Sequence, residues 1–297
     1  MTALRGSLRR DVPMARYTTW RVGGPAARVY EPADCQDLAA FLTSTEAVAP
    51  FFWLGLGSNL LVRDGGLAGS VIRLHKGLAA IEDLGAGRVR AGAGVPCAKL
   101  ARWCARRGYG GSGFFAGIPG TLGGALAMNA GAWGGETWAH VEAVTTVDAE
   151  GRCRQRGVDD FVTGYRTVSG PSQEWFTAAV LHFQAGAEPA ALQAEMRRLL
   201  GERARSQPTG LPSGGSVFRN PPGAHAARLI ETAGLKGLSV GAARVSEKHA
   251  NFIVHDGTAR AADIEALIRQ VQAEVYRVHA IELVPEVRIV GEAAHDD

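Results

Sequence analysis

Two glycine-rich stretches carry the residues whose types and spacing suggest chemistry. "GLGSN" (Gly55 to Asn59) directly follows an apolar run, and "GIPGTLGG" (Gly117 to Gly124) leads into "ALAMNAGA". Bare main chain of this kind binds phosphate by turning successive N–H groups inward, with no Cβ to hold the anion away. A flexible tether would be polar, whereas these glycines alternate with apolar and small residues. Neither stretch is a Rossmann fingerprint, because Leu60 stands where the third glycine after Gly55-x-Gly57 would fall. Neither contains the Gly-Lys-Ser/Thr of a Walker loop. Tight turns in a β-rich core would explain one such stretch alone. The two together favour a dinucleotide with an extended pyrophosphate. A helix started by "ALAMNAGA" would turn its positive end toward the second loop.

Other chemistries find less support. The eight histidines are scattered and none forms H-x-x-x-H, which argues against a metal enzyme. The four cysteines, Cys35, Cys97, Cys104 and Cys153, form no C-x-x-C pair. Cys97 and Cys104 fall on the inner face of one helix, and the set reads as buried free thiols in a reducing compartment. A formal charge of +3 over 297 residues disfavours nucleic acid and membrane surfaces as partners. The N-terminus lacks an apolar signal region and no window reaches membrane-spanning length, so a soluble cytoplasmic protein is expected.

The elements that must position these residues follow from periodicity. Asp34 caps a helix over 34–42, residues 51–62 read as strand, glycine turn and strand, and 69–74 is a further strand. A helix over 97–108 ends at Gly108. Strands are expected at 140–152 and 174–183. Beyond 185 the texture changes to a charged helix (188–208), a helix over 225–233, a strand at 251–255, a long helix over 261–279 and a last strand over 281–290. Strands dominate the first part and alternate with helices in the second, which predicts an α+β protein. The composition, 46% hydrophobic, is enough for a core in each of two or three domains.

Seven blocks then occur in a fixed order: "TTWRVGGPA" (18–26), "LGLGSNLLV" (54–62), "AGIPGTLGGALAMNAGA" (116–132), "GYR" (164–166), "SGGSVFRNP" (213–221), "GLKGLSVGAARVSEKHANFIVH" (234–255) and "PEVRIVG" (285–291). Together they resemble the UDP-N-acetylenolpyruvoylglucosamine reductase family, from about Thr18 to Gly291. The resemblance implies an FAD-binding fold of two subdomains, like that of vanillyl-alcohol oxidase, plus a separate α+β substrate domain. The corresponding divisions are 1–74 with 288–297 returning to it, 75–186, and 187–287. It also implies FAD as bound cofactor, NADPH as reductant, a UDP-sugar substrate and a cytoplasmic enzyme of peptidoglycan precursor synthesis, here expected to be a monomer. Where the family often has a serine two residues after Tyr-Arg, Val168 stands here. The stretch 211–255 has no room for the tyrosine-bearing lid insertion of one branch, so the chain is similar to the shorter branch.

The implied reaction adds hydride to an enol ether conjugated to a carboxylate, so the protein must stabilise an enolate-like anion and supply one proton. Arg166 is planar and permanently charged, suited to holding that carboxylate. Ser216, read alone, is a serine capping a glycine turn; the resemblance makes it the proton donor. Glu286 lies in a strand interrupted at Pro285, and its ordinary reading is an exposed carboxylate paired with Arg288. In the family, residues matching Arg166, Ser216 and Glu286 form the catalytic set. Asn220, Lys236, Lys248 and His249 match positions that contact substrate. For FAD the expected residues are Gly55, Gly57, Ser58, Asn59 and Leu60 in the first stretch and Gly117, Ile118, Pro119, Gly120, Thr121, Gly123 and Gly124 in the second. Asn129 and Ala132 complete that set. On this reading glycine stands wherever a side chain would collide with the cofactor. The rival is a sugar or alcohol oxidase of the same FAD fold, against which "GGSVFRNP" and "PEVRIVG" count.

Overall fold

The computed structural model describes residues 3–294. The chain is α+β and divides into two compact units threaded through one another in sequence. The first comprises residues 1–10, 28–56 and 69–202, and the second 11–27, 57–68 and 203–297. The stretches 11–27 and 57–68, which a contiguous reading leaves in the N-terminal part, therefore belong with the C-terminal residues.

The first unit holds two cores. One forms around Tyr30, Leu38, Phe41, Ile72 and Leu74. Helix Cys35–Leu42 contributes its inner face, and its start is fixed by the Asp34 carboxylate, which accepts the Asp37 N–H at 2.9 Å. Strand Phe51–Leu54 runs parallel to Leu67–Arg73 in the sheet beside it.

The second core sits under a five-stranded antiparallel sheet, in the order Cys153–Gly157, Val141–Asp148, Glu174–His182, Arg88–Gly92, Ile81–Gly85. Val89 and Ala91 alternate with exposed Arg88 and Arg90, the period-2 signature of a strand with one covered face. Helix Cys97–Arg106 buries Cys97, Leu100, Ala101, Cys104 and Ala105, spaced i, i+3, i+4, i+7 and i+8 as one apolar stripe requires. The charged helix Pro189–Ser206 buries only Met196, and the division between units falls inside it, between Glu202 and Arg203.

The second unit is built on the long helix Ala261–His279, whose Ile264, Leu267, Ile268, Val271 and Val275 pack with Trp20, Leu61, Phe218 and Ile253. The helix begins where the Asp64 carboxylate accepts the N–H groups of Ala261 and Ala262 at 3.0 and 2.9 Å, an acceptor from almost two hundred residues away. The expected strand over 281–290 is shorter than that. Pro285 makes one isolated bridge to Phe218, and only Arg288–Val290 is strand, parallel to Leu60–Val62. Proline supplies no ladder donor, so pairing restarts only beyond it. Among the described residues no helix is long and apolar enough to cross a membrane.

Candidate active site

In the first unit the two glycine stretches meet. Gly55 ends the strand Phe51–Leu54, and a Cβ on it would strike the hydroxyl of Thr121. The second stretch is stitched to its surroundings by main-chain bonds: Cys97 N–H to the Gly120 carbonyl at 2.9 Å, Leu122 N–H to Val95 at 2.8 Å, and Gly123 N–H to Ala93 at 2.8 Å. Helix Leu122–Ala127 starts earlier than expected, so Gly123 and Gly124 lie within its first turn rather than in the loop. Its N-terminal amides at Leu122 and Gly123 are committed to strand-end carbonyls. The expectation that they point at a phosphate is corrected accordingly.

The reason for the glycines is also corrected in part. A Cβ at Gly117 would lie 2.6 Å from the Ala132 Cβ, and one at Gly123 would lie 2.9 Å from the Ala93 Cβ. These positions are bare because protein atoms fill the space. Gly124 differs: a Cβ there would meet nothing within 4 Å, and the residue is exposed. Earlier in the same stretch Pro119 is exposed and Gly120 half-buried, whereas Ile118 is buried in the core. At Gly124 the main chain is open, with no neighbouring atom in the place a side chain would take.

Beyond that helix the chain turns at Asn129, which is buried and has φ +45°. Its side-chain amide donates to Glu136 at 3.0 Å and to the Gly164 carbonyl at 3.2 Å, and its oxygen accepts the Trp138 N–H at 3.1 Å. The side chain is thus a structural pin rather than a free ligand group. Ala132 pairs with Gly135 in a short hairpin. Arg166 sits at the tip of the hairpin Val162–Gly164/Thr167–Ser169, with φ +55°. Its guanidinium donates to the carbonyls of Asn129 and Gly131 at 3.3 and 3.1 Å. A left-handed arginine at a two-residue turn is strained for a non-glycine residue, and strain of this kind persists where the surroundings hold it.

In the second unit Glu286 is bonded to the neighbour of Ser216. The Glu286 N–H donates to the carbonyl of Val217, the residue after Ser216, at 2.7 Å. The Glu286 carbonyl in turn accepts from the Asn59 side-chain amide at 3.0 Å, and the Asn59 carbonyl accepts the Arg288 N–H at 3.0 Å. Leu60 then pairs with Arg288 in the parallel ladder. Both Ser216 and Glu286 are half-buried. Gly57, at φ +65°, is bare because the Tyr17 carbonyl occupies the position of its Cβ, and half-buried Ser58 follows it.

Sequence reasoning missed the residues that hold this rung. Gly214 lies flat on Trp20, whose ring would be 2.7 Å from an added Cβ. Trp20 is fully buried and donates its indole N–H to Ile253 at 3.0 Å. Asn251 accepts the Val217 N–H through its carbonyl and the Phe218 N–H through its side chain, both at 2.9 Å. Both residues fall inside the blocks "TTWRVGGPA" and "SEKHANFIVH", and a buried polar residue there was the available signal.

The expected substrate-binding residues lie in the same unit. Lys236 pairs with Glu231, and both act electrostatically on His249. Burial holds the His249 imidazole below the usual histidine value, with Lys236 adding to the effect. Lys248 instead donates to the Ala204 carbonyl at 2.6 Å, and Asn220 accepts the Ala226 N–H at 3.0 Å at the start of helix Ala226–Thr232.

A family model described as an FAD binding domain matches residues 26–156, and one described as the C-terminal domain of UDP-N-acetylenolpyruvoylglucosamine reductase matches 207–290. The reductase of that name from Alkalilimnicola ehrlichii is 62% identical over 288 residues, covering 97% of this chain and 96% of the relative. That from Methylococcus capsulatus is 55% identical over 289 residues, covering 97% and 95%. The crystal structure of the Thermus caldophilus reductase superposes with a TM-score of 0.83 at 36% identity, covering 97% of this chain and 99% of that one. Matched by these relatives along nearly its full length, the chain belongs to the UDP-N-acetylenolpyruvoylglucosamine reductase family.

Proposed function

We infer that this protein reduces the enolpyruvyl group of UDP-N-acetylenolpyruvoylglucosamine to give UDP-N-acetylmuramate, an FAD-dependent step of peptidoglycan precursor synthesis. The observation that supports this reading beyond kinship is the Glu286 N–H to Val217 carbonyl bond, which pairs Glu286 with the residue that follows Ser216. Bound FAD supplies the hydride chemistry. The main chain at 55–59 and 117–121, together with the open face of Gly124, would hold it, and the two cores of the first unit would be its two subdomains. NADPH is the proposed reductant. The enzyme is proposed to work as a cytoplasmic monomer, since one chain supplies every residue named.

Arg166 keeps its charge at any working pH and is aimed by two carbonyls, so it can hold the substrate carboxylate as that group gains electron density. Ser216 delivers the proton to the carbon beside that carboxylate. A serine hydroxyl is a weak acid near neutrality, and Glu286, bonded to the next residue, is proposed to assist it. Lys236, with His249 beside it, meets the diphosphate, and Asn220 and Lys248 line the rest of the substrate. The test is anaerobic. NADPH should bleach the yellow protein, and the enolpyruvyl sugar nucleotide should restore the colour. Bleaching without recovery on that substrate would overturn the assignment.

A further inference from the structure

Two of the four cysteines are not the buried thiols their spacing suggested. Cys97 and Cys104 are buried, but Cys35 is half-buried and Cys153 is exposed. Their sulfurs stand 3.2 Å apart across a sequence separation of 118 residues, both within the first unit. Cys35 opens helix Cys35–Leu42, which packs in the first core, and Cys153 opens strand Cys153–Gly157 at the edge of the five-stranded sheet. Two openings reach the pair. One of about 190 Å³ is lined by Cys153 and Arg154, and one of about 200 Å³ by Cys35 and Thr177, with Arg90 and Thr145 lining both.

We propose that Cys35 and Cys153 form a redox modification site that closes to a disulfide when the protein meets a peroxide. The Cys153 thiolate attacks one oxygen of hydrogen peroxide, breaking the O–O bond and leaving a sulfenic acid and water once the released hydroxide is protonated. The Cys35 sulfur then attacks the Cys153 sulfur, its proton leaves with the sulfenic hydroxyl as a second water, and the S–S bond forms. Two thiols are oxidised and one peroxide is reduced. The order of attack follows from exposure. Burial, with the neighbouring Cys153 sulfur adding to it, pushes the Cys35 thiol up to about 12, so Cys35 keeps its proton until the second step. The sulfurs need to approach by only about 1 Å to bond. The bond would tie the two cores of the first unit across a long loop, which restricts the unfolded chain.

The experiment treats FAD-loaded protein with hydrogen peroxide, alkylates the remaining thiols and reads intact and peptide masses. Two of the four thiols should be lost, the mass should fall by two hydrogen atoms, and one peptide should join Cys35 to Cys153. The oxidised protein should melt several degrees higher than the reduced one, with dithiothreitol reversing the shift. Cys153→Ser, a substitution at an exposed position, should abolish both the cross-link and the shift; Cys35→Ser is the companion variant. Persistence of all four alkylatable thiols, or oxygen added to Cys153 without a cross-link, would overturn the proposal.

Discussion

At the scale of single residues, the site uses main-chain geometry to aim a few side chains. Arg166 is held in left-handed backbone so that its guanidinium meets the carbonyls of Asn129 and Gly131. Ser216 is placed by its neighbours: Gly214 on Trp20, and Val217 bonded to Asn251 on one side and Glu286 on the other. Replacing the hydroxyl leaves that scaffold intact, so Ser216→Ala should fold and bind FAD normally. Flavin reduction by NADPH should proceed at the wild-type rate. Reoxidation by the enolpyruvyl substrate should slow by about 10²–10⁴-fold, the usual contribution of a positioned acid. Stopped-flow absorbance separates the two halves, and equal rates in the second half would remove Ser216 from its role.

At the scale of elements, two adjacent glycines in helix Leu122–Ala127 do different work. Gly123→Ala drives a methyl to 2.9 Å from the Ala93 Cβ and 3.1 Å from its carbonyl, so it should lower stability by about 1–3 kcal/mol. Gly124→Ala adds a methyl in open space within a helix, so the FAD-free protein should gain about 0.5–1 kcal/mol. Its FAD affinity should nevertheless fall, because the methyl projects where the cofactor is proposed to lie. Thermal melts and flavin fluorescence titrations read the two effects, and unchanged affinity would remove the cradle from that face. The long helix of the second unit gives another such test. Glu265 receives Arg63 at 2.8 and 3.0 Å, and that pairing, opposed by burial, holds its carboxyl below the ordinary glutamate value. The stability it contributes is present above the unfolded carboxyl's pKa and is lost as pH falls through the folded one. Glu265→Gln should therefore cost about 2 kcal/mol at pH 7 and progressively less below pH 4.5, measured by denaturant unfolding. Much of this element layer was legible in the sequence. The stripe from Cys97 to Ala105 has helical spacing, and Asp34 announces its own helix. What was not legible depends on distant partners. Nothing near Gly123 reveals Ala93, nothing near Ala261 reveals Asp64, and the apolar run from Ile281 hides that only Arg288–Val290 finds a parallel partner.

At the scale of the whole molecule, the two units differ in how they are drawn from the chain, and this predicts different autonomy. The sheet-and-helix core of the first unit takes its buried residues from Val89 to Met196, one continuous stretch. The core of the second unit takes Trp20, Val22 and Leu61 from segments far upstream of residue 203. A fragment 203–297 therefore loses the fully buried Trp20 and its bond to Ile253. It also loses the parallel partner of Arg288–Val290, the Asp64 acceptor at the start of the long helix, and the Arg63 partner of Glu265. The tryptophan alone is worth about 3–5 kcal/mol when removed from a core, a large part of the stability of a small domain. The fragment should show no cooperative thermal transition and poorly dispersed amide resonances, although its sequence spans the C-terminal family match. A fragment 75–202 should retain a cooperative melt, because its sheet and the helices beneath it are complete. A cooperative transition in 203–297 would mean that the upstream segments merely decorate the second unit; its absence, beside a folded 75–202, would mean that they complete its core and hold the Val217–Glu286 rung beside Ser216.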